Sequence, residues 1–272
     1  EKKYGSLIKA ARAMKKSRPA PTSGQKPPAM FNSLIGGLGE MVDALMERLG
    51  GDLRMGVAVE KIEKTDAGYD VRVNGETIQT DALVLSTPAY AAGDLVAGFA
   101  PDLAGALHTI RYVSTATISL GYKKADVEGQ HDLEGFGFLI PKSEGRRISG
   151  CTWASTKLNY RAPEDGVLLR TFVGGTGQEE LVDLSDEELI ALSREEIADL
   201  MGVTAEPVVT RIYRWKNGRP QYDVGHLDRV AEMEKMAADV GQVHLVGSAY
   251  RGSGIPDCVK QALDAVEKIL GD

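Results

Sequence analysis

Residues 244–259 read HLVGSAYRGSGIPDCV, a segment with three distinct parts. The apolar start predicts a short buried strand, and the glycines that follow let the backbone approach a neighbouring group closely. Pro256 then opens a helix whose apolar positions, Val259, Leu263, Val266 and Leu270, predict a core-facing side. The free N–H groups at the start of such a helix favour an anion or an electron-rich ring. A tight strand-to-helix connection uses the same glycines, so both interpretations stay open at this point.

The segments before it alternate between helical and strand patterns. Residues 38–49 have apolar residues at helical spacing and end at Gly50, which predicts an amphipathic helix. Alternation at 55–59 and again at 69–73 predicts two strands, the second entering a hairpin turn at Asn74-Gly75. The run 82–85 is apolar at every position, which predicts a strand buried on both faces, followed by a helix near 89–97.

The middle of the chain is dominated by strand patterns. Segments at 110–122, 136–140, 148–153 and 167–173 are separated by turn residues, which predicts an antiparallel sheet. Ser185 with Glu188 forms a capping-box pattern that opens a helix closed by Gly202. Its apolar residues, Leu189, Leu192, Ile197 and Leu200, are predicted to face the core together. The fold class is therefore α/β, with α+β character.

Composition and charge exclude several functional classes. The 272 residues carry a formal net charge of −7, which disfavours nucleic-acid binding. Cys151 and Cys258 are far apart, and the four histidines lack metal-ligand spacing, so neither a disulfide framework nor a metal site is expected. No apolar run is long enough for a transmembrane helix. There is also no G-x-S-x-G elbow, and we predict no catalytic nucleophile or general acid.

The amino-terminal segment differs from the rest in charge. Residues 1–18 are rich in Lys and Arg around a small apolar stripe, which suits either a solvated end or contact with an anionic membrane surface. Residues 19–29 contain four prolines and are predicted to be a linker.

Several motifs together resemble one family. They are G-G-L-G-E before the first helix, V-A-V-E-K-I at 57–62, A-L-V-L-S-T-P at 82–88, G-F-G-F-L-I-P at 135–141, Arg214-Trp215 with Pro220-Gln221-Tyr222, and Gly247 through Cys258. The chain closely resembles the oxygen-dependent protoporphyrinogen/coproporphyrinogen oxidase family, within the amine-oxidase-like flavoproteins. Family members begin with an FAD-binding half that carries the motif G-x-G-x-x-G. The 272 residues of this sequence do not contain that motif.

The resemblance implies a glutathione-reductase-like FAD domain remnant with an antiparallel-sheet substrate domain. Residues 1–18 would end a helical membrane-binding domain, 30–92 and 205–272 would belong to the FAD-binding domain, and 93–204 to the substrate domain. The implied location is the cytoplasm or the periphery of the cytoplasmic membrane.

The resemblance also implies roles for individual residues. The implied cofactor is FAD, with Val59 at its adenine end, Trp215 near the flavin, and Gly254-Ile255-Pro256 along the isoalloxazine ring. Phe136 and Leu139 would flank a porphyrinogen, which is oxidised with O2 as acceptor. Because the dinucleotide fingerprint is missing, we expect the chain alone to retain FAD poorly.

The resemblance gives an expectation for Gly254, and two alternatives to the family give expectations of their own. A Cβ at Gly254 would block the backbone's approach to the flavin or demand an unfavourable φ. A related amine oxidase would instead carry an aromatic pair in place of G-S-G-I-P. The other alternative is a cofactor-free binding module, or a truncated fragment that keeps the fold without turnover, and either would show no flavin absorption.

Overall fold

The computed structural model describes residues 5, 6, 9, 12, 13 and 32–271. Most of the predicted basic segment 1–18, and the whole linker at 19–29, therefore lie outside the described residues. Within the described part, two hydrophobic cores are built on different sheets. None of the described helices is long and apolar enough to cross a bilayer.

The first part opens with helix α1 (Gly39–Arg48) and a three-stranded antiparallel sheet of β1 (Val59–Thr65), β2 (Gly68–Val73) and β3 (Glu76–Thr80). The predicted hairpin turn is confirmed, because Asn74 and Gly75 take φ values of 51° and 76°. The predicted strand at 55–59 is wrong before Val59: Gly56 lies in a turn with φ +71°, and β1 begins only after it.

A parallel strand pair forms the centre of the first core. β4 (Leu83–Leu85) pairs with β10 (Val243–Leu245), and the pair packs with α2 (Ala89–Val96), α3 (Pro101–His108) and α7 (His226–Val240). The expectation that β4 is buried on both faces is wrong here. Val84 is 47% exposed, because the helices of this core cover only the face that Leu83 and Leu85 present.

A five-stranded sheet in the order β6-β7-β8-β5-β9 forms the second part. Its strands are β5 (Tyr112–Lys123), β6 (Gly137–Leu139), β7 (Ile148–Trp153), β8 (Gly166–Gly174) and β9 (Val209–Pro220). All of these pairs are antiparallel, as predicted. Short helices α4 (Lys124–Val127) and α5 (Ala154–Lys157) lie in the connections, with 3-10 turns at Lys142–Glu144 and Glu179–Asp183.

Helix α6 (Asp186–Met201) contributes to the core on one face of this sheet. Its capping box is confirmed: the Ser185 N–H donates to Glu188 Oε2 at 2.8 Å, and the Glu188 N–H donates to Ser185 Oγ at 3.2 Å. The hydrogen bond from the Ser185 backbone lowers the pKa of Glu188. Gly202 ends the helix with φ 71°. The prediction for Leu200 is wrong, because it is 39% exposed and Met201 occupies the core position instead.

The apolar side of the last helix, α8 (Ile255–Leu270), does not face a core in the described structure. Its predicted core positions are between 48% and 68% exposed, namely Val259, Leu263, Val266 and Leu270. The apolar residues of α1 are likewise exposed. Spacing identifies which side of a helix is apolar, but it does not supply the surface that covers that side.

Packing divides the chain at points that differ from the predicted domain boundaries. The first core includes residues of α2 and α3 up to Ile110, whereas boundary 92/93 would separate those helices from it. β9 pairs with β5 in the second sheet, although residues 205–220 were assigned to the other domain. The assignment of one part to cofactor and the other to substrate stays a prediction.

Candidate functional site

The glycine-rich loop lies at the carboxyl ends of the two parallel strands. The Val246 N–H donates to the Leu85 carbonyl at 3.1 Å, which holds the start of the loop beside the end of β4. Gly247 has φ +114°, and a Cβ there would lie 3.6 Å from the Ser86 carbonyl oxygen. Ligands of open α/β sheets commonly bind at this edge, outside the carboxyl ends of the strands.

Three side-chain contacts hold the loop, two of them to its backbone and one from its own Arg251 side chain. Tyr222 Oη donates to the Ser248 carbonyl at 2.5 Å, and the His226 Nε2 lies 2.8 Å from the Tyr250 carbonyl. The rings of Tyr222 and His226 stack with centroids 4.0 Å apart. Arg251 forms an ion pair with Glu234 of α7, with Nε 2.6 Å from Oε1. The loop is therefore held in one conformation by β9 and α7.

Helix α8 begins directly after this loop and has no side-chain cap. Its N-cap is Gly254, so no side-chain oxygen accepts from the first-turn N–H groups. Of the two alternatives for Gly254, the unfavourable φ is wrong, because its φ is −73°, an ordinary value for any residue, whereas the blocked approach to the flavin stays a prediction. Gly252 is the demanding position: its φ is +151°, and a Cβ there would lie 2.7 Å from the Cβ of Asp257.

We therefore expect alanine at Gly252 and at Gly254 to behave differently. Gly252→Ala should lower the free energy of unfolding by about 2 kcal/mol, because the positive φ and the Asp257 overlap both oppose a Cβ. Gly254→Ala should cost less than about 1 kcal/mol, since its nearest neighbour is the flexible end of Asp257. Urea unfolding of both variants measures this, and equal losses would contradict it.

The uncapped start of α8 offers N–H groups and a partial positive charge, which suit the electron-rich edge of a flavin. Tyr250 Oη is buried in the first core with no hydrogen-bond partner among the described residues. Gly254, Ile255 and Pro256 lie together at this helix start. Val59 lies apart from them at the start of β1, 40% exposed.

The five-stranded sheet has an open face opposite α6. One row of directly paired residues crosses all five strands on that face: Leu139, Gly150, Phe172, Thr117 and Tyr213. Ile118 and Thr171, which are next to Thr117 and Phe172 in sequence, are fully buried and point to the other side, which places this row on the open face. Leu139 is 86% exposed and Tyr213 is 59% exposed. Leu139 leans over Gly150, since its Cδ2 lies 3.1 Å from where a Gly150 Cβ would be.

A cavity of about 620 Å³ opens at one end of this face. Its lining includes Leu139, Phe172 and Thr115 of the sheet, with Arg219 and Gln221 from the β9 end. Trp215 is paired with Thr115, so it lies one row from Tyr213, and it is 54% exposed. Phe136 precedes β6 and is 48% exposed. Leu139 and Trp215 thus lie on the same face of the five-stranded sheet, but at its two opposite edges.

Two titratable groups near these surfaces, Cys151 and His226, have structural surroundings. Burial raises the pKa of the Cys151 thiol to about 12, so it stays protonated and unreactive. His226 is buried against a backbone carbonyl. The part of the chain that the structure describes contains no group of three or more His, Cys, Asp or Glu placed to hold a metal.

Sequence reasoning missed several residues that the structure places at the site. Tyr222 lay within a quoted motif, but its bond to Ser248 depends on where β9 ends. Phe172 and Tyr213 had only the ordinary signal of alternate strand positions. Their meeting with Leu139 in one row depends on the register of four strand pairs.

The architecture is that of the FAD-dependent, amine-oxidase-like flavoproteins. Structures sharing this fold include a reduced UDP-galactopyranose mutase, with a TM-score of 0.65 at 17% identity over 98% of this chain and 58% of that one. A crystal structure of a protein from Exiguobacterium sp. 255-15, proposed to be a protoporphyrinogen oxidase, superposes with a TM-score of 0.80 at 30% identity, covering 99% of this chain and 56% of that one.

The chain belongs to the flavin containing amine oxidoreductase family, whose model matches residues 3–270. Among curated proteins it is 34% identical to coproporphyrinogen III oxidase of Bacillus subtilis, over 99% of this chain and 57% of that protein. It is 28% identical to chloroplastic protoporphyrinogen oxidase of Oryza sativa, over 86% of this chain and 46% of that protein. The chain thus spans about half the length of the curated relatives it matches.

Proposed function

We propose that this chain belongs to an FAD-dependent oxidoreductase that converts a porphyrinogen, either coproporphyrinogen III or protoporphyrinogen IX, to the porphyrin with O2 as acceptor, in haem biosynthesis. The observation that carries the proposal is the open sheet face, where Leu139 and Phe172 line a cavity large enough for part of a macrocycle. Relatives named coproporphyrinogen III oxidase and protoporphyrinogen oxidase, which match nearly the whole chain, support it.

A flavin-dependent oxidation of this kind requires residues that hold the flavin and the substrate, and it requires no nucleophilic side chain. Bound FAD would supply the hydride-accepting chemistry, which needs no side-chain nucleophile. The chain's own residues have two tasks: the loop at 247–254 and the start of α8 hold and polarise the flavin edge, and the sheet face positions the ring. Apolar and aromatic side chains suit a largely apolar macrocycle.

The alternatives have less support from the site. A related amine oxidase would carry an aromatic pair where this chain has Gly252 through Pro256. A cofactor-free binding module would not require a loop held by Tyr222 next to a helix start with free N–H groups. Flavin absorption retained by the purified protein that contains this chain distinguishes either flavoprotein from a cofactor-free module, and consumption of a porphyrinogen distinguishes the two flavoproteins. Peripheral membrane contact through residues 1–18 stays a prediction.

We expect the chain to bind porphyrin and Phe172→Ala to weaken that binding about tenfold, because a lost ring contact costs about 1.4 kcal/mol. Titration of coproporphyrin III or protoporphyrin IX, followed by the shift of the Soret band, gives the Kd. Tyr160→Ala is the matched control, since Tyr160 is 73% exposed and lies outside the sheet face. A Phe172→Ala variant with unchanged Kd would show that the ring binds elsewhere.

A further inference from the structure

A second row of residues crosses the open face next to the apolar row. Arg170 of β8 and Arg211 of β9 are both paired with Ser119 of β5, one on each side. Directly paired residues share a face of the sheet, so both guanidinium groups rise from the same side as Phe172 and Tyr213. Each arginine lies two residues from an aromatic of the first row, a separation of about 7 Å along the strand.

The two arginines are not neutralised by carboxylates. Arg170 Nε donates to Ser119 Oγ at 3.3 Å, and Arg211 Nη1 donates to the Thr210 carbonyl at 2.8 Å. Neither has an acidic partner among the described residues, and both are exposed. In contrast, Arg214, the next arginine along β9, forms an ion pair with Asp186 at 2.6 Å.

Arg170 and Arg211 lie on the two strands that flank β5, about 10 Å apart across it, so an anion placed between them would be attracted by both charges. In a chain of net charge −7, acidic side chains are abundant, yet none is placed here. Guanidinium groups bind carboxylates through paired, charge-assisted hydrogen bonds. The surface therefore combines a largely apolar row with a parallel row that carries two cations, which suits an apolar ring with carboxylates on its edge.

We propose that Arg170 and Arg211 bind the peripheral carboxylates of the tetrapyrrole and favour the substrate that carries more of them. This inference rests on the proposed function and adds the residues that read the substrate's edge. With the ring on Leu139, Phe172 and Tyr213, propionates on one side reach the arginine row. Coproporphyrinogen carries propionates where protoporphyrinogen carries vinyl groups, so the arginine row should favour the former.

The test compares three ligands on the 272-residue chain: coproporphyrin III, its methyl ester, and protoporphyrin IX. Arg170→Gln and Arg211→Gln should each weaken coproporphyrin III binding about fivefold, and the double variant about twentyfold. The ester should bind wild type and variants alike. Raising the salt concentration should weaken binding of the free acid more than that of the ester.

The control is Arg72→Gln, an exposed arginine on the three-stranded sheet, which should change no Kd. Thermal unfolding of each variant verifies that the fold is kept. If all three ligands bind but both arginine variants keep the wild-type Kd for coproporphyrin III, the carboxylate inference is overturned while ring binding stands. If the wild-type chain binds none of the three, the proposed function fails with it.

Discussion

Gly137→Ala is expected to lower the free energy of unfolding by about 3 kcal/mol. Gly137 has φ +122°, a conformation that side-chain-bearing residues rarely adopt. A Cβ there would overlap the Cys151 carbonyl oxygen and lie 2.8 Å from the Thr152 Cα. Both are backbone atoms of β7, the paired strand, so neither can move without breaking the ladder. Urea unfolding followed by far-ultraviolet circular dichroism measures the loss.

The same substitution should disturb the site, because β6 is only Gly137–Leu139. If its pairing with β7 loosens, Leu139 loses its fixed position over Gly150, and porphyrin binding should weaken along with stability. Gly98→Ala is the control, since Gly98 has no heavy atom within 4 Å of a Cβ and no positive φ. Its free energy of unfolding should change by less than about 0.5 kcal/mol. Equal effects at both glycines would show that β6 tolerates a side chain.

The sequence correctly predicted those turns and helix ends that depend on neighbouring residues. The Asn74-Gly75 turn and the Ser185 capping box depend on residues next to one another, and both are present where the sequence places them. The final helix begins at Ile255, one residue from the predicted start at Pro256. In each case the conformation follows from a backbone preference or a short-range hydrogen bond.

Predictions failed where the outcome depends on what covers an apolar surface. Val84 and Leu263 are apolar, and their spacing places them on strand or helix faces, yet both are largely exposed. Periodicity reports which residues share a face, whereas burial requires a second element to pack on it. The domain boundaries stay a prediction, and the pairing of β9 with β5 is a contact that the sequence order alone does not indicate.

The candidate site was predictable only in part. The glycine-rich loop and Leu139 could be identified from motifs, because each motif is continuous in sequence. The arginine row could not, since Arg170 and Arg211 are 41 positions apart and meet only through Ser119. Register is a property of strand pairs, and a single strand's sequence does not specify its partner. The motif pointed to Gly254 as the glycine that the backbone requires, whereas the residue with the positive φ is Gly252.

Leu189→Ala is expected to destabilise the chain by about 3 kcal/mol, the usual cost of a cavity at a fully buried leucine. Leu189 lies in the first turns of α6 with no exposed surface, in the core beneath the five-stranded sheet. Leu200→Ala on the same helix is the matched control. Since Leu200 is 39% exposed, the same change of side chain should cost less than about 1 kcal/mol there.

The pair tests whether α6 faces the sheet as the structure has it, because spacing alone placed both leucines in the core. Similar losses at Leu189 and Leu200 would mean that the helix is rotated relative to the sheet, which would also move its Asp186 ion pair with Arg214 of β9. The distinction matters for the site, since the residues of β5 and β8 that contact the α6 core alternate with those of the open face. A cavity at Leu189 should therefore weaken porphyrin binding only near the unfolding transition, whereas Phe172→Ala should weaken it under fully folding conditions.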